Sequence, residues 1–407
     1  MNVRTPPAGV DPDGSHLPAL DGLRGVAVLM VMFFHFVLVT RLHYGLHGTT
    51  SGVEGVIDWV ADGGWAGVEL FFVLSGFLIT GILLRSRETP GYFRNFYARR
   101  ALRIFPLYYA MLVFLLLLLP LVVTISSAEF ARLQSIQLWH WTYTMNIWIA
   151  ITNASGDTDA FATGPLWSLS VEEQFYLLWP AVVLVCGRRT LVGACAAIVV
   201  VSPVVRLVAL AEGADPFVGY TFTPLRLDAL ALGALLAVAV RDERAAALLR
   251  RFAPATGLLA LASLAAIAWW KGDLVHVELR MLTYGLTAFA VLFASLILLA
   301  TAPGGGVVRR VAEAAPLRAA GRYSYALYIM HWPIATWLVT VVDVPGVDDA
   351  HFAGRMLFVL VAGGVSMVCA WLSWHLFERH FLRLKDRFRH PAAAIDAPVS
   401  AKLAPAA

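Results

Sequence analysis

LDGLRGVAVLMVMFFHF, residues 20–36, decides how this chain is read. Apart from Asp21, Arg24 and His35, every residue in it is apolar or glycine. Continued through Val37, Leu38 and Val39, the run reaches the ~20 residues that a helix needs to cross the hydrocarbon core of a bilayer. Ionisable groups there cost several kcal/mol, so each asks for a reason. Arg24 and His35 stand eleven positions apart. At about 100° per residue that is three turns and about 20°, so both point to nearly the same face, about 16 Å apart along the axis. Two readings fit. Arg24 holds an anionic part of an activated donor entering from the cytoplasm, and His35 takes a proton from an acceptor hydroxyl. Alternatively, Arg24 snorkels to the interface and His35 makes a structural bond between helices.

The rest of the chain agrees with a lipid solvent. Of 407 residues 59% are hydrophobic and 14% charged, with a mean hydropathy of +0.72. Soluble domains carry about a quarter charged residues. Apolar runs at 20–40, 66–84, 104–124, 166–186, 190–210, 225–240, 254–270, 279–301, 323–341 and 355–377 predict an all-α polytopic membrane bundle of about ten transmembrane helices. With the N-terminus in the cytoplasm, the loops after even-numbered spans hold the basic clusters Arg85–Arg103, Arg188–Arg189, Arg241–Arg251 and Arg309–Arg322. Arg379 to Arg389 add to them, so both termini are expected in the cytoplasm. An eleventh candidate, 133–150, would invert every later cluster; it is therefore read as re-entrant or as lying on the outer interface. Outer segments 42–64 and 125–165 and the basic segment 85–103 read as loops.

The expected organisation is a cytoplasmic segment 1–17, a transmembrane domain 18–384, and a tail 385–407 that is basic and then disordered. No cleavable signal pattern opens the chain, so the first apolar run is expected to remain as an anchor. Scattered arginines argue against nucleic acid. Cys186, Cys195 and Cys369 lie in apolar runs without metal-site or disulfide spacing, so no metal is implied.

Other polar residues interrupt the apolar runs. Glu69 precedes FFVLSGFLIT, where Ser75 and Gly76 suit close helix packing. Glu172 and Glu173 are adjacent in WSLSVEEQFYLLWP and point about 100° apart, so one at most faces a given cavity. Arg226 and Asp228 open a span and read either as an ion pair with each other or as ligands. His331 lies in SYALYIMHWP, where Pro333 frees backbone groups; it reads as a packing residue or as part of a site. Arg100 and Arg103, one turn apart, form a fork suited to phosphates or an ordinary cytoplasmic cluster.

Arg24 with His35, FFVLSGF, Arg100-x-x-Arg103-Ile-Phe-Pro, WSLSVEEQFYLLWP, RLDALALG and SYALYIMHWP occur in this order from about 17 to 384. Together they resemble the acyltransferase 3 family of membrane O-acyltransferases, which modify surface polysaccharides, lipid-linked sugars and macrolides. The resemblance implies a ten-helix enzyme of the bacterial plasma membrane, with acyl-CoA, commonly acetyl-CoA, as donor substrate and no tightly bound cofactor. It makes His35 the essential histidine, Arg24 its basic partner, Arg100 and Arg103 the pair near CoA, and Glu172 the glutamate of the Ser-Val-Glu motif. Glu69 departs from the aspartate commoner there, and no esterase-like extension follows the last helix, as in the stand-alone type.

The expected mechanism has CoA phosphates near Arg24, Arg100 and Arg103, and the thioester reaching His35. The histidine serves as base or carries the acyl group, while Glu172 orients its imidazole. Trp65, Trp139, Trp141 and Trp167 are expected near the outer surface, stacking on a carbohydrate, glycolipid or macrolide acceptor or anchoring at the interface. A transporter is the main rival, and no inverted repeat supports it.

Overall fold

The computed structural model describes residues 17–44, 52–122, 127–152, 164–271, 275, 277–304, 306–342 and 352–388. The expectations for the N-terminal segment and for the tail beyond Phe388 lie outside the described residues. Among the described residues the chain is helical throughout and contains no strand. In lipid only a helix satisfies its own backbone groups within one segment, which is why the apolar runs take this form. The protein is a multi-pass helical membrane protein.

In chain order the helices are α1 (Pro18–Tyr44), α2 (Gly52–Asp62), α3 (Gly67–Ser86), α4 (Tyr92–Val113), α5 (Leu119–Val122), α6 (Ser127–Trp141), α7 (Met145–Thr152), α8 (Trp167–Val185) and α9 (Arg188–Ala211). They continue as α10 (Pro216–Thr221), α11 (Leu227–Ala239), α12 (Glu243–Lys271), α13 (Leu286–Ala300), α14 (Val307–Ala312), α15 (Ala315–Arg322), α16 (Ser324–Trp337), α17 (Phe352–Ser373) and α18 (Arg379–Leu384). Among the described residues every expected span falls on helix, and seven helices there are long and apolar enough to cross a membrane by length and composition. The other three expected spans correspond to α8, α11 and α16; α11 is short, with 13 residues, while α8 and α16 carry the polar Glu172, Glu173 and His331. The expected loop at 42–64 contains the 11-residue α2, and Arg94 to Arg103 stand on α4 rather than in a loop.

Small residues let the helices touch backbone to backbone. A Cβ on Gly22 would meet the Ala312 carbonyl at 1.6 Å, one on Gly25 the Leu317 carbonyl at 2.0 Å, and one on Gly321 the Asp21 carbonyl at 1.7 Å. The α1 face is thereby pressed onto α14 and α15. The α3–α11 contact works the same way: a Cβ added at Gly76 would clash with the Leu230 carbonyl, and one at Gly233 with the Val73 carbonyl. Without a hydrophobic drive between helices in lipid, such close approach supplies dispersion and fixes register.

The segment 133–150 is not one continuous helix. It consists of α6 and α7, 15 and 8 residues long, broken at Tyr143, whose φ of 53° is left-handed. Tyr92 of α4 donates to the Pro180 carbonyl at 3.0 Å and Tyr97 to the Leu177 carbonyl at 2.7 Å, so α4 and α8 run antiparallel. The end of α4 and the start of α8 therefore lie on one side. From that side α6 descends until Tyr143 stacks on Tyr108 at 4.1 Å and on Phe105 at 5.8 Å, far back along α4. Tyr108 and Tyr109 donate to the carbonyls of His140 at 2.9 Å and Trp141 at 3.2 Å, and the His140 carbonyl also accepts from the Tyr143 N–H at 3.2 Å. The segment is a helical hairpin whose tip is inserted beside α4 and α8.

Gly25→Ala tests the close-packed seam. The added methyl is expected to cost about 1–3 kcal/mol, seen as a lower unfolding temperature in detergent. Gly193→Ala, where nothing lies within 4 Å, is expected to be neutral or to gain up to about 1 kcal/mol in the same measurement.

Candidate active site

Gly25 and Gly321 mark where α1 and α15 touch, and α16 follows α15 with only Tyr323 between them. Ten residues beyond each glycine stand His35 and His331. The same rise of about 15 Å along two parallel helices brings the histidines level. His35 Nδ1 lies 2.9 Å from His331 Nε2, and His331 Nδ1 lies 3.0 Å from the Leu327 carbonyl.

The carbonyl only accepts, so this network assigns the proton of His331 to Nδ1 and leaves its Nε2 as an acceptor. His35 then donates through Nδ1, and its lone pair is on Nε2. A backbone carbonyl, through one buried imidazole, thus fixes the tautomer of another. His331 is 0% exposed, whereas His35 keeps accessible surface. Phe34 and Trp332 flank the His35 ring, each with a centroid distance of 5.0 Å.

A second group of polar residues lies towards the other end of α1. Arg24 feels the charges of Arg103, Asp21 and Arg100. Arg100 lies over the Tyr176 ring at 5.3 Å. Glu172 accepts from Ser75 at 2.6 Å and from Tyr176 at 3.1 Å, and it feels the charges of Arg24 and Arg100. Arg24, Arg100 and Glu172 are deep in the bundle yet retain accessible surface. None of the three is fully enclosed by its neighbours.

The structure thus brings Arg24, Arg100, Arg103 and Glu172 together. It pairs His35 with His331, so the imidazole-orienting bond expected from Glu172 comes from His331, while both Glu172 oxygens are engaged by Ser75 and Tyr176. Ser75, expected only to allow close packing, is a hydrogen-bond donor to this carboxylate. Glu173, on its different face of α8, is placed apart from Glu172 among Tyr108, Tyr109, Tyr143 and Tyr325, and feels Arg100.

Arg226 and Asp228 are not paired with each other. Arg226 bonds Glu69, both 1% exposed, and packs against Tyr220 at 5.0 Å and Phe72 at 5.6 Å. Asp228 bonds Arg206 of α9 at 3.0 Å, and Arg206 also donates to the Leu225 carbonyl. Successive helical residues point in different directions, so each charge finds its counter-ion on a neighbouring helix. Glu69 is therefore half of a buried ion pair joining α3 to the turn before α11. Trp65 and Trp167, expected near the surface, are 2% and 5% exposed and pack on Tyr220 at 5.7 and 4.8 Å. These two fill the core and offer no open face to a sugar.

Sequence reading missed Arg206, whose partner is distant in sequence, and it missed the tyrosines. Tyr143, Tyr108 and Tyr325 are ordinary residues for a membrane helix, and only the fold of α6–α7 brings them beside Glu173. Among the described residues no group of three or more His, Cys, Asp or Glu side chains comes together as a metal site, and the three cysteines are thiols.

A helical membrane bundle with a tautomer-fixed histidine and an internal arginine cluster is the setting of a membrane acyltransferase. The family model for the acyltransferase domain matches residues 17–375. The chain belongs to the acyltransferase 3 family. Two curated relatives cover most of it. One is a Bacillus subtilis protein named as a candidate peptidoglycan O-acetyltransferase, 29% identical over 393 residues, which are 89% of this chain and 54% of that protein. The other is a peptidoglycan O-acetyltransferase of Listeria monocytogenes, 29% identical over 390 residues, covering 91% of this chain and 58% of that one. The chain spans just over half the length of these relatives. A candidate O-acetyltransferase of Staphylococcus aureus is 30% identical over 174 residues, covering 42% of this chain and 25% of its own. No solved structure matches.

The Glu69–Arg226 pair carries a stability prediction. Arg226→Met alone leaves a buried carboxylate without its counter-ion and is expected to cost about 3–5 kcal/mol. Combining it with Glu69→Leu is expected to cost clearly less than the sum of the two single changes, because the pair is coupled. Unfolding midpoints of the three variants in detergent measure both.

Proposed function

We propose that this chain is an O-acyltransferase that moves an acyl group, acetyl in the first instance, from acyl-CoA to a hydroxyl of a cell-envelope carbohydrate. Peptidoglycan is the acceptor class that the names of the two larger relatives suggest. Residues 18–384 form the transferase unit, and the basic ends of the helices face the cytoplasm. The observation that carries this reading is the chain of hydrogen bonds from the Leu327 carbonyl through His331 to His35.

That chain gives His35 one defined basic nitrogen, Nε2. CoA enters from the cytoplasm with its phosphates against Arg24, Arg100 and Arg103, while Glu172, held by Ser75 and Tyr176, acts on Arg24 and Arg100 through its charge. Arg24 lies about 16 Å from His35 along α1, a gap bridged by the extended pantetheine arm. The acceptor hydroxyl gives its proton to Nε2 as its oxygen attacks the thioester carbonyl. The tetrahedral intermediate collapses with cleavage of the carbon–sulfur bond, and the imidazolium returns the proton to the leaving thiolate. His331, accepting from Nδ1, stabilises the cation that His35 becomes in between, as an orienting partner does in a triad.

Purified protein with acetyl-CoA and a soluble peptidoglycan fragment is expected to release CoA in proportion to O-acetylated product. His35→Ala is expected to lower kcat by about 10²–10⁴-fold, and full activity in that variant would sink the proposal. Arg103→Ala is expected to raise KM for acetyl-CoA about tenfold, as loss of a charge-assisted bond of about 1.5 kcal/mol does, with little change in kcat.

A further inference from the structure

The tip of the α6–α7 hairpin is built in a way that packing alone does not require. Tyr143 is the sole non-glycine residue with positive φ among the described residues. An aromatic residue in the left-handed region costs about 1–3 kcal/mol and persists only where its surroundings impose it. Here they do: its ring stacks on Tyr108 at 4.1 Å, and Gln174 of α8 donates to its carbonyl at 3.0 Å. The result is to carry a hydroxyl into the bundle, where Tyr143 is 6% exposed and its oxygen has no hydrogen-bond partner.

The residue before Gln174 is Glu173. Its carboxylate is within electrostatic reach of the Tyr143 hydroxyl and of Arg100. Among the described residues Glu173 also has no hydrogen-bond partner, and the two groups do not bond each other. A strong acceptor and a donor thus lie within electrostatic reach of each other, each lacking its complement, although an unsatisfied buried polar group costs about 1–3 kcal/mol. A secondary amide supplies both complements, its N–H to the carboxylate and its carbonyl to the phenol.

We propose that Tyr143 and Glu173 form a binding site for a secondary amide, that of the pantetheine arm of the acyl-CoA donor. This rests on the transferase reading above and extends it to the path of the arm. An acetamido group on an amino-sugar acceptor offers the same chemistry, but the neighbouring Arg100 belongs to the arginine cluster where the donor's phosphates lie. Along α16, Tyr325 beside Glu173 stands six residues before His331. That is about 9 Å on the way to the histidines, so the site lies between phosphates and thioester, where the amides of the arm fall.

The test is calorimetric titration of the detergent-purified full chain with CoA and with adenosine 3′,5′-bisphosphate, which keeps phosphates but lacks the arm. Tyr143→Phe preserves the ring stack, and Glu173→Gln preserves shape. Each variant is expected to bind CoA about fivefold more weakly than wild type, as one lost hydrogen bond does, and to bind the bisphosphate unchanged. CoA affinity unchanged in both variants overturns the inference. A raised KM for an acetamido-sugar acceptor with unchanged CoA affinity also overturns it, and moves the amide to the acceptor. A wild type that binds no CoA defeats the donor reading itself, which is seen before any variant is compared.

Discussion

Everything at the histidine site depends on how closely α1 and α15 approach. At Gly22, Gly25 and Gly321 there is no room for a side chain, so backbone meets backbone and the axial register is set to within a fraction of a residue. The parallel run into α16 then carries that register upward to His35 and His331. A hydrogen bond between two imidazoles tolerates little error, and a slip of one residue would move them about 1.5 Å apart along the axis and about 100° around it. Glycines about three turns away thus act on the chemistry through geometry alone.

Charge in the bundle is managed in two different ways. Glu69 with Arg226, and Asp228 with Arg206, are closed pairs buried among aromatic rings, and they tie α3, α9 and α11 to one turn. Arg24, Arg100 and Arg103 instead share the fields of Asp21, Glu172, Glu173 and Glu378 without closing into one-to-one pairs, and they keep accessible surface. Closed pairs have nothing left to offer a ligand, whereas half-buried guanidinium groups in a low-dielectric space can still attract an anion. The contrast separates scaffold from site more clearly than burial does.

Much of this was legible in the chain itself. Helical periodicity put Arg24 and His35 on one face, and charge asymmetry argued against 133–150 as a span; the segment is two short helices, α6 and α7, broken at Tyr143. Partners could not be read the same way. Arg226 and Asp228 look like each other's counter-ion because they are two residues apart, yet their partners stand on α3 and α9. The bond between His35 and His331 spans most of the chain, and nothing local marks either residue as the other's orienting group. Glu172 was the natural candidate for that bond because a carboxylate is the usual imidazole partner; tertiary register gave the place to a second histidine.

The α6–α7 hairpin has a consequence for the order in which its contacts can form. Helices of 15 and 8 residues draw most of their stability from what they pack against. Here those supports come from both directions in the chain: Tyr108 and Tyr109 of α4 precede the hairpin, and Gln174 of α8 follows it. The bond from Gln174 to the Tyr143 carbonyl can form only once α8 has been made. The left-handed turn at Tyr143 is therefore secured by residues that do not yet exist when the turn itself is synthesised.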